Sequence, residues 1–337
     1  MFRPFTGARA VARRRPSRLS ALVSLRAGRF ALALACALPL VALPAAARAE
    51  DTLKVGDQQL QLRGVLEASG QLKNVPYRIE WFNFPAAQPL GEALNAGAVD
   101  VGGLGDAPMI FAYAAGAKIR VVAATRSTPT DLAIVVPSNS PIRGPADLKG
   151  KRIATTRGSI GHYLAIATLE RAHLKLADVS WYFMQPADAR AALASGTVDA
   201  WSTWDPYVAL AEAQDQNRSV ANGVGLSSGL TFEAATNEAI RTKPALIADF
   251  VKRIAAGERW ALAHPEEVAQ IQSRVTGLPA NVLTTVYERA QAHPVAIDDA
   301  VIAEQQKTAD LYHRAGVIQT PLDVAPSFAR QFTTGMH

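Results

Sequence analysis

Cysteine is almost absent from this 337-residue sequence: Cys36 is the one example, and it lies in an N-terminal stretch set apart by its composition. Beyond that stretch a disulfide framework, a thiolate metal site and a cysteine nucleophile are excluded together. Acidic residues are missing from residues 1–49, which carry nine arginines. An apolar run over residues 30–43, interrupted only by Pro39, is too short to span a bilayer. Ala47-Arg48-Ala49 follows. A basic n-region, a short apolar h-region and an A-x-A site predict a secretory signal peptide cleaved after Ala49. Cys36 falls inside the h-region without a lipobox Leu before it, so it is read as filler. Arg13-Arg14-Arg15 lacks the Phe-Leu of a twin-arginine signal, which leaves the export route open.

Removing the leader reverses the sign of the charge. The whole chain has 35 Lys+Arg and 29 Asp+Glu, net +6; the remaining 288 residues keep 26 basic and all 29 acidic groups. A mildly acidic exported protein is not expected to bind nucleic acid. Catalytic patterns are lacking too. The six histidines form no H-E-x-x-H pair, no G-x-S-x-G elbow occurs, and Gly102-Gly103-Leu104-Gly105 has the spacing of neither a dinucleotide loop nor a P-loop. No metal or cofactor is expected.

What is present is an alternation of short β-type runs with helical patterns, the mark of an α/β protein. Strands are predicted over 52–55, 77–81, 99–102, 120–125, 133–136, 152–155, 198–201 and 231–236. Helices are predicted over 86–95, 163–172 and 187–194, then 245–264, 265–276, 280–291 and 296–315. At about 150 residues per domain the mature length suggests two.

The chain also resembles itself. Leu94-Asn95-Ala96-Gly97-Ala98-Val99-Asp100-Val101 returns 99 residues later as Leu193-Ala194-Ser195-Gly196-Thr197-Val198-Asp199-Ala200, and Asp106 with Pro108 is echoed by Asp205 with Pro206. Each copy reads as helix, Gly at C′, strand, loop, then Asp as N-cap of the next helix. Two lobes of one topology would aim helix N-termini from the carboxyl ends of strands into a shared cleft, where open α/β sheets bind ligands.

Helix N-termini suit anions. Four strand-to-helix turns are candidates, at Gly56-Asp57-Gln58-Gln59, Gly105-Asp106, Gly158-Ser159 with His162, and Trp204-Asp205. Ser159 reads equally as N-cap and as ligand donor, and His162 as contact or packed histidine. Asp106 and Asp205 suit a cap, an ammonium group or the orientation of Arg157 better than an anion. Trp204, Trp201 and Phe232 are candidate walls for an organic tail, Trp204 first.

At these residues the sequence resembles the periplasmic solute-binding proteins of ABC importers, specifically the alkanesulfonate branch with its taurine- and nitrate-binding relatives. The likeness covers nearly all of the mature chain. It is carried by Glu92-Ala93-Leu94-Asn95-Ala96-Gly97, Gly105-Asp106-Ala107-Pro108-Met109, Ala146-Asp147-Leu148-Lys149-Gly150 and Arg157-Gly158-Ser159 with His162, and most specifically by Val198-Asp199-Ala200-Trp201-Ser202-Thr203-Trp204-Asp205-Pro206-Tyr207. The resemblance implies a type II binding-protein clamshell: residues 1–49 as leader, 50–134 and 235–337 as lobe 1, 135–234 as lobe 2, with crossover strands near 132–136 and 230–236. It nominates Gln58, Gly105, Asp106, Ser159, His162, Trp204 and Asp205 for ligand binding, to which the wall reading adds Phe232. Leu104 stands where many relatives have a hydroxyl residue, which removes a donor or adds apolar wall.

The function implied is capture of an aliphatic sulfonate in the periplasm, as a sulfur source, by a monomer that delivers it to an ABC permease and its ATPase. Taurine, nitrate or a thiamine-precursor pyrimidine are rival ligands. An exported enzyme with His162 as acid or base, and a ligand-sensing partner of a membrane receptor, are rival roles.

Overall fold

The alternation of β-type and helical runs resolves into two mixed sheets. The structure, a computed structural model, describes residues 51–333; the expected leader, its cleavage site after Ala49 and Cys36 lie outside the described residues. The first sheet holds β1 (Thr52–Gln58), β2 (Arg78–Phe84), β3 (Val101–Gly105), β4 (Ile119–Arg126), β10 (Leu230–Thr236) and β11 (His293–Val295). The second holds β5 (Leu132–Val136), β6 (Arg152–Thr155), β7 (Ser180–Phe183), β8 (Ala200–Trp204) and β9 (Arg218–Asn222). Their orders are β11-β4-β10-β3-β1-β2 and β7-β6-β8-β5-β9. The eight strands expected from sequence are present within a few residues, whereas β7, β9 and β11 were not anticipated.

The helices are α1 (Gln61–Ala68), α2 (Ala87–Asn95), α3 (Asp106–Ala114), α4 (Ile160–Arg171), α5 (Pro186–Ala194), α6 (Tyr207–Ala213), α7 (Asn237–Thr242), α8 (Pro244–Ala263), α9 (Pro265–Thr276), α10 (Ala280–Ala290) and α11 (Asp299–Arg314). The chain passes from the first sheet to the second over residues 127–131 and returns over 223–229, a few residues before the divisions at 134/135 and 234/235 read from sequence. The strand received after each crossing, β5 or β10, runs antiparallel to β8 or β3.

The internal repeat is a structural one. In both copies a helix ends, Gly97 or Gly196 takes a φ near +70°, and a strand pairs parallel to its neighbour. Asp100 then accepts the Lys54 amide at 2.8 Å through its carboxylate, and Asp199 accepts the Arg152 amide at 2.8 Å. The repeat breaks at the next helix. Asp106 is the first residue of α3, capped by Gly105, whereas a cis Asp205-Pro206 bond precedes α6. Neither Asp is the N-cap expected.

Helix α4 sets the site. It is buried from Gly161 to Leu169 and packs on β8 and β5 of its own sheet and on α3 and α11 of the other. Its approach to β8 depends on Gly161: a Cβ there would lie 2.6 Å from the Ser202 carbonyl oxygen, while Ser202 Oγ donates to the Gly161 carbonyl at 2.7 Å. Gly161→Ala is expected to destabilise the protein by about 2 kcal/mol through forced backbone displacement. Chemical denaturation checks this, and a change below about 0.5 kcal/mol would remove the close approach as a determinant.

Candidate functional site

All four strand-to-helix turns open onto one cavity of about 470 Å³ between the two sheets. Gln58 and Gln59 come from the first turn, Gly105 from the second, Arg157, Gly158 and Ser159 from the third, Trp204 and Asp205 from the fourth. Phe111, Ile160 and Leu230 supply apolar wall. Gln58 is held by donation of its Nε2 to the Gly103 carbonyl at 2.7 Å.

The turns are not electrically alike. Asp57 turns its carboxylate onto the Leu62 and Arg63 amides at 3.1 and 2.9 Å. Asp106 takes the Ala107 amide at 2.6 Å, and Pro108 has no amide to offer. Asp205 takes the Ala209 amide at 2.9 Å. At each of these three helices a carboxylate takes one or two amides and opposes the positive end of the dipole. Of the four, only α4 is capped by a hydroxyl: Ser159 Oγ accepts the His162 amide at 3.1 Å, and the helix offers no acceptor to the amides of Ile160 and Gly161.

Beside that free N-terminus sits Arg157, the one cation among the cavity's lining residues. Its guanidinium lies 3.7 Å over the Phe183 ring, which fixes the plane and leaves the edge donors free. No ion pair among the described residues engages it. Arg157 is the residue that sequence reasoning undervalued, treating it as something for an Asp to orient. The signal was its place directly before the only Gly-Ser cap.

The remaining expected contacts stand as follows. Asp106 is fully buried, does not line the cavity, and accepts from Ser228 Oγ at 3.0 Å and Thr308 Oγ1 at 3.4 Å; burial pushes its carboxyl up to about 6. His162 is 3 % exposed and also lies off the cavity. Its Nδ1 accepts the Gly158 amide at 3.3 Å, and Trp181 and Phe183 present edges to its ring at 5.3 and 5.1 Å. Burial, then the Arg157 charge, pushes it down to about 4, so it is neutral and props the Gly158-Ser159 turn. An acid or base role would need a ring facing a substrate, which this one does not.

Trp204 is half-buried, lines the cavity and meets Tyr207 edge-on at 5.7 Å. Trp201 and Phe232 are each 1 % exposed and pack in the core. Leu104 is fully buried in the same cluster as Phe232, so it neither adds wall nor exposes a missing donor. Gln59 Nε2, after β1, donates to Tyr207 Oη of α6, a contact between the two halves beside the cavity.

The family model described as NMT1/THI5 like matches residues 85–268. Among curated proteins, a putative aliphatic sulfonates-binding protein of Escherichia coli K12 is 34% identical over 298 residues, 87% of this chain and 93% of that protein. Among solved structures, the alkanesulfonate-binding protein SsuA of Xanthomonas axonopodis pv. citri, bound to MOPS, is similar with TM-score 0.77 and 33% identity, over 84% of this chain and 99% of that one. The periplasmic aliphatic sulphonate binding protein SsuA of Escherichia coli is similar with TM-score 0.75 and 33% identity, over 82% and 92%.

Proposed function

Since the chain belongs to the NMT1/THI5-like family, we propose that it is the substrate-binding component of an ABC importer and captures an organic sulfonate in the periplasm. The observation that carries this reading is the single anion-seeking corner of the cavity: Arg157, the N-terminus of α4 and its Ser159 cap, in a cavity whose other three turns each hold an Asp folded onto helix amides. A sulfonate stays singly charged across physiological pH, so fixed amides and a guanidinium recognise it without a titrating base. These dipoles replace the headgroup's water with little reorganisation, and Phe111, Ile160 and Trp204 cover a tail.

The two sheets with their helices act as lobes divided at residues 127–131 and 223–229, closing by hinge motion on the ligand. The mature protein, freed of residues 1–49 on export, works as a monomer that hands the sulfonate to a permease and its ATPase for use as a sulfur source.

Thermal shift against alkanesulfonates, taurine, aromatic sulfonates, sulfate, nitrate and an aminopyrimidine tests the ligand class. An organosulfonate at about 100 times its Kd should stabilise the protein by about 2.7 kcal/mol. No response to any sulfonate, with a clear response to nitrate or the pyrimidine, would sink the assignment.

A further inference from the structure

Arg157 is exposed and, among the described residues, without an ion pair, so the contact that fixes it is the one with the Phe183 ring. An unrestrained arginine keeps its rotamer freedom until a ligand takes it, and that loss is subtracted from affinity. Whatever holds the ring in place therefore bears on the anion corner.

Phe183 ends β7, an edge strand hydrogen-bonded to β6 alone. The parallel register sets it abreast of Thr155, two residues before Arg157. The Met184 amide donates to the Thr155 carbonyl at 3.1 Å, and Thr156 Oγ1 donates to the Met184 carbonyl at 2.9 Å. These bonds tie the two strand ends together where the arginine leaves the sheet. Side chains alternate along β7, so Ser180 and Tyr182 are exposed while Trp181 and Phe183 share the half-buried face.

The Trp181 and Phe183 rings are parallel within 4°, with centroids 5.8 Å apart, and Trp181 is pinned by donation of its Nε1 to the Leu176 carbonyl at 3.0 Å. Trp181 also packs against two apolar clusters of the core; Phe183 belongs to no such cluster among the described residues, and it does not line the cavity. A half-buried aromatic ring that serves neither core nor cavity wall has its face on the guanidinium instead.

Resting on the sulfonate reading above, we propose that Phe183 is a positioning residue for anion capture. It does not touch the ligand; it raises affinity by holding the Arg157 guanidinium ready, with Trp181 as its backing. Because the effect is exerted at the headgroup, it is the same for every tail. His162 meets both rings nearly at right angles, so a loss caused by disturbing the turn it props must be told apart from a loss that passes through Arg157.

Isothermal titration with a short and a long n-alkanesulfonate, applied to the native protein, Phe183→Leu, Phe183→Tyr, Arg157→Ala and the Phe183→Leu, Arg157→Ala pair, makes that distinction. Leucine keeps apolar bulk without a π face and should weaken both ligands by about fivefold to tenfold, by one factor for the two tails. Tyrosine keeps the face and should stay within about twofold of native. In the Arg157→Ala background, Phe183→Leu should cost less than about twofold. A trifluorinated phenylalanine in place of Phe183 preserves the ring's shape while drawing charge from its face, and should weaken binding about threefold even where the leucine variant fails to fold. Losses that are absent, unequal between tails, or as large without Arg157 as with it would overturn the proposal and leave sulfonate capture standing. Failure of the native protein to bind either ligand would instead remove the sulfonate reading, and this role with it.

Discussion

Arg157→Ala is expected to weaken every organosulfonate ligand by roughly 100-fold, because removing the charged partner of an enclosed anion costs about 3 kcal/mol. The loss should be large because nothing nearby can substitute. The other three turns on the cavity each set a carboxylate on helix amides, from Asp57, Asp106 and Asp205, and no second cation lines the wall. Arg157→Lys should fall between, keeping the charge but losing the planar fork and its stacking on Phe183. Calorimetric titration with one alkanesulfonate against all three proteins decides it. A loss of less than about threefold in Arg157→Ala would place the headgroup elsewhere.

The stability of the unliganded protein should fall steeply between about pH 4 and pH 7. Burial, ahead of every other cause, pushes Asp57, Asp106 and Asp205 up to about 6, and Asp131 and Glu258 up to about 7; Glu233 is raised as well, with Glu258 and Asp57 facing it. In the unfolded chain these carboxyls ionise near 4, so between about pH 4 and 7 the folded state binds more protons. Their contribution is therefore fully present below that window and lost as pH rises through it. His162 opposes them: held down to about 4 by burial and the Arg157 charge, it binds fewer protons when folded than unfolded, and stability from this group falls as pH drops below about 6.5.

One histidine does not offset several carboxyls shifted the other way. Melting temperatures should consequently fall by roughly 5–10 °C from about pH 4 to about pH 7. Glu233→Gln should raise the melting temperature at the upper pH and leave it nearly unchanged at the lower. Flat or rising melts across the range would refute the account.

Much of the architecture was legible because local chemistry and tertiary structure agree. Pro265 and Gly277 bound α9 to the residue, and the repeated Asp100 and Asp199 make the same strand contact in each lobe. The strands that escaped notice are those whose pattern is ambiguous without a partner. The β7 run Ser-Trp-Tyr-Phe lies at a sheet edge, and β11 is three residues containing a proline.

Of the site, the four turns were visible and their polarity was not. An Asp beside a helix reads the same whether it faces the ligand or folds back onto its own amides, and only the latter arrangement silences the dipole. His162 was equally illegible, since nothing in the sequence says that Trp181 and Phe183 will enclose its ring. Arg157 mattered through the absence of other cations around a space the sequence does not draw.

The Tyr312 hydroxyl of α11 donates to the Ser159 carbonyl at 3.2 Å, and one continuous apolar cluster joins Tyr163 and Ile166 of α4 to Phe232 and Tyr312 across the lobes. The anion corner is thus braced from both sheets' helices, and Gln59 with Tyr207 makes a separate contact between the two halves. If the lobes rotate as proposed, the contact that must part to admit a ligand is the Gln59–Tyr207 one, while the shared cluster behind the headgroup need not open.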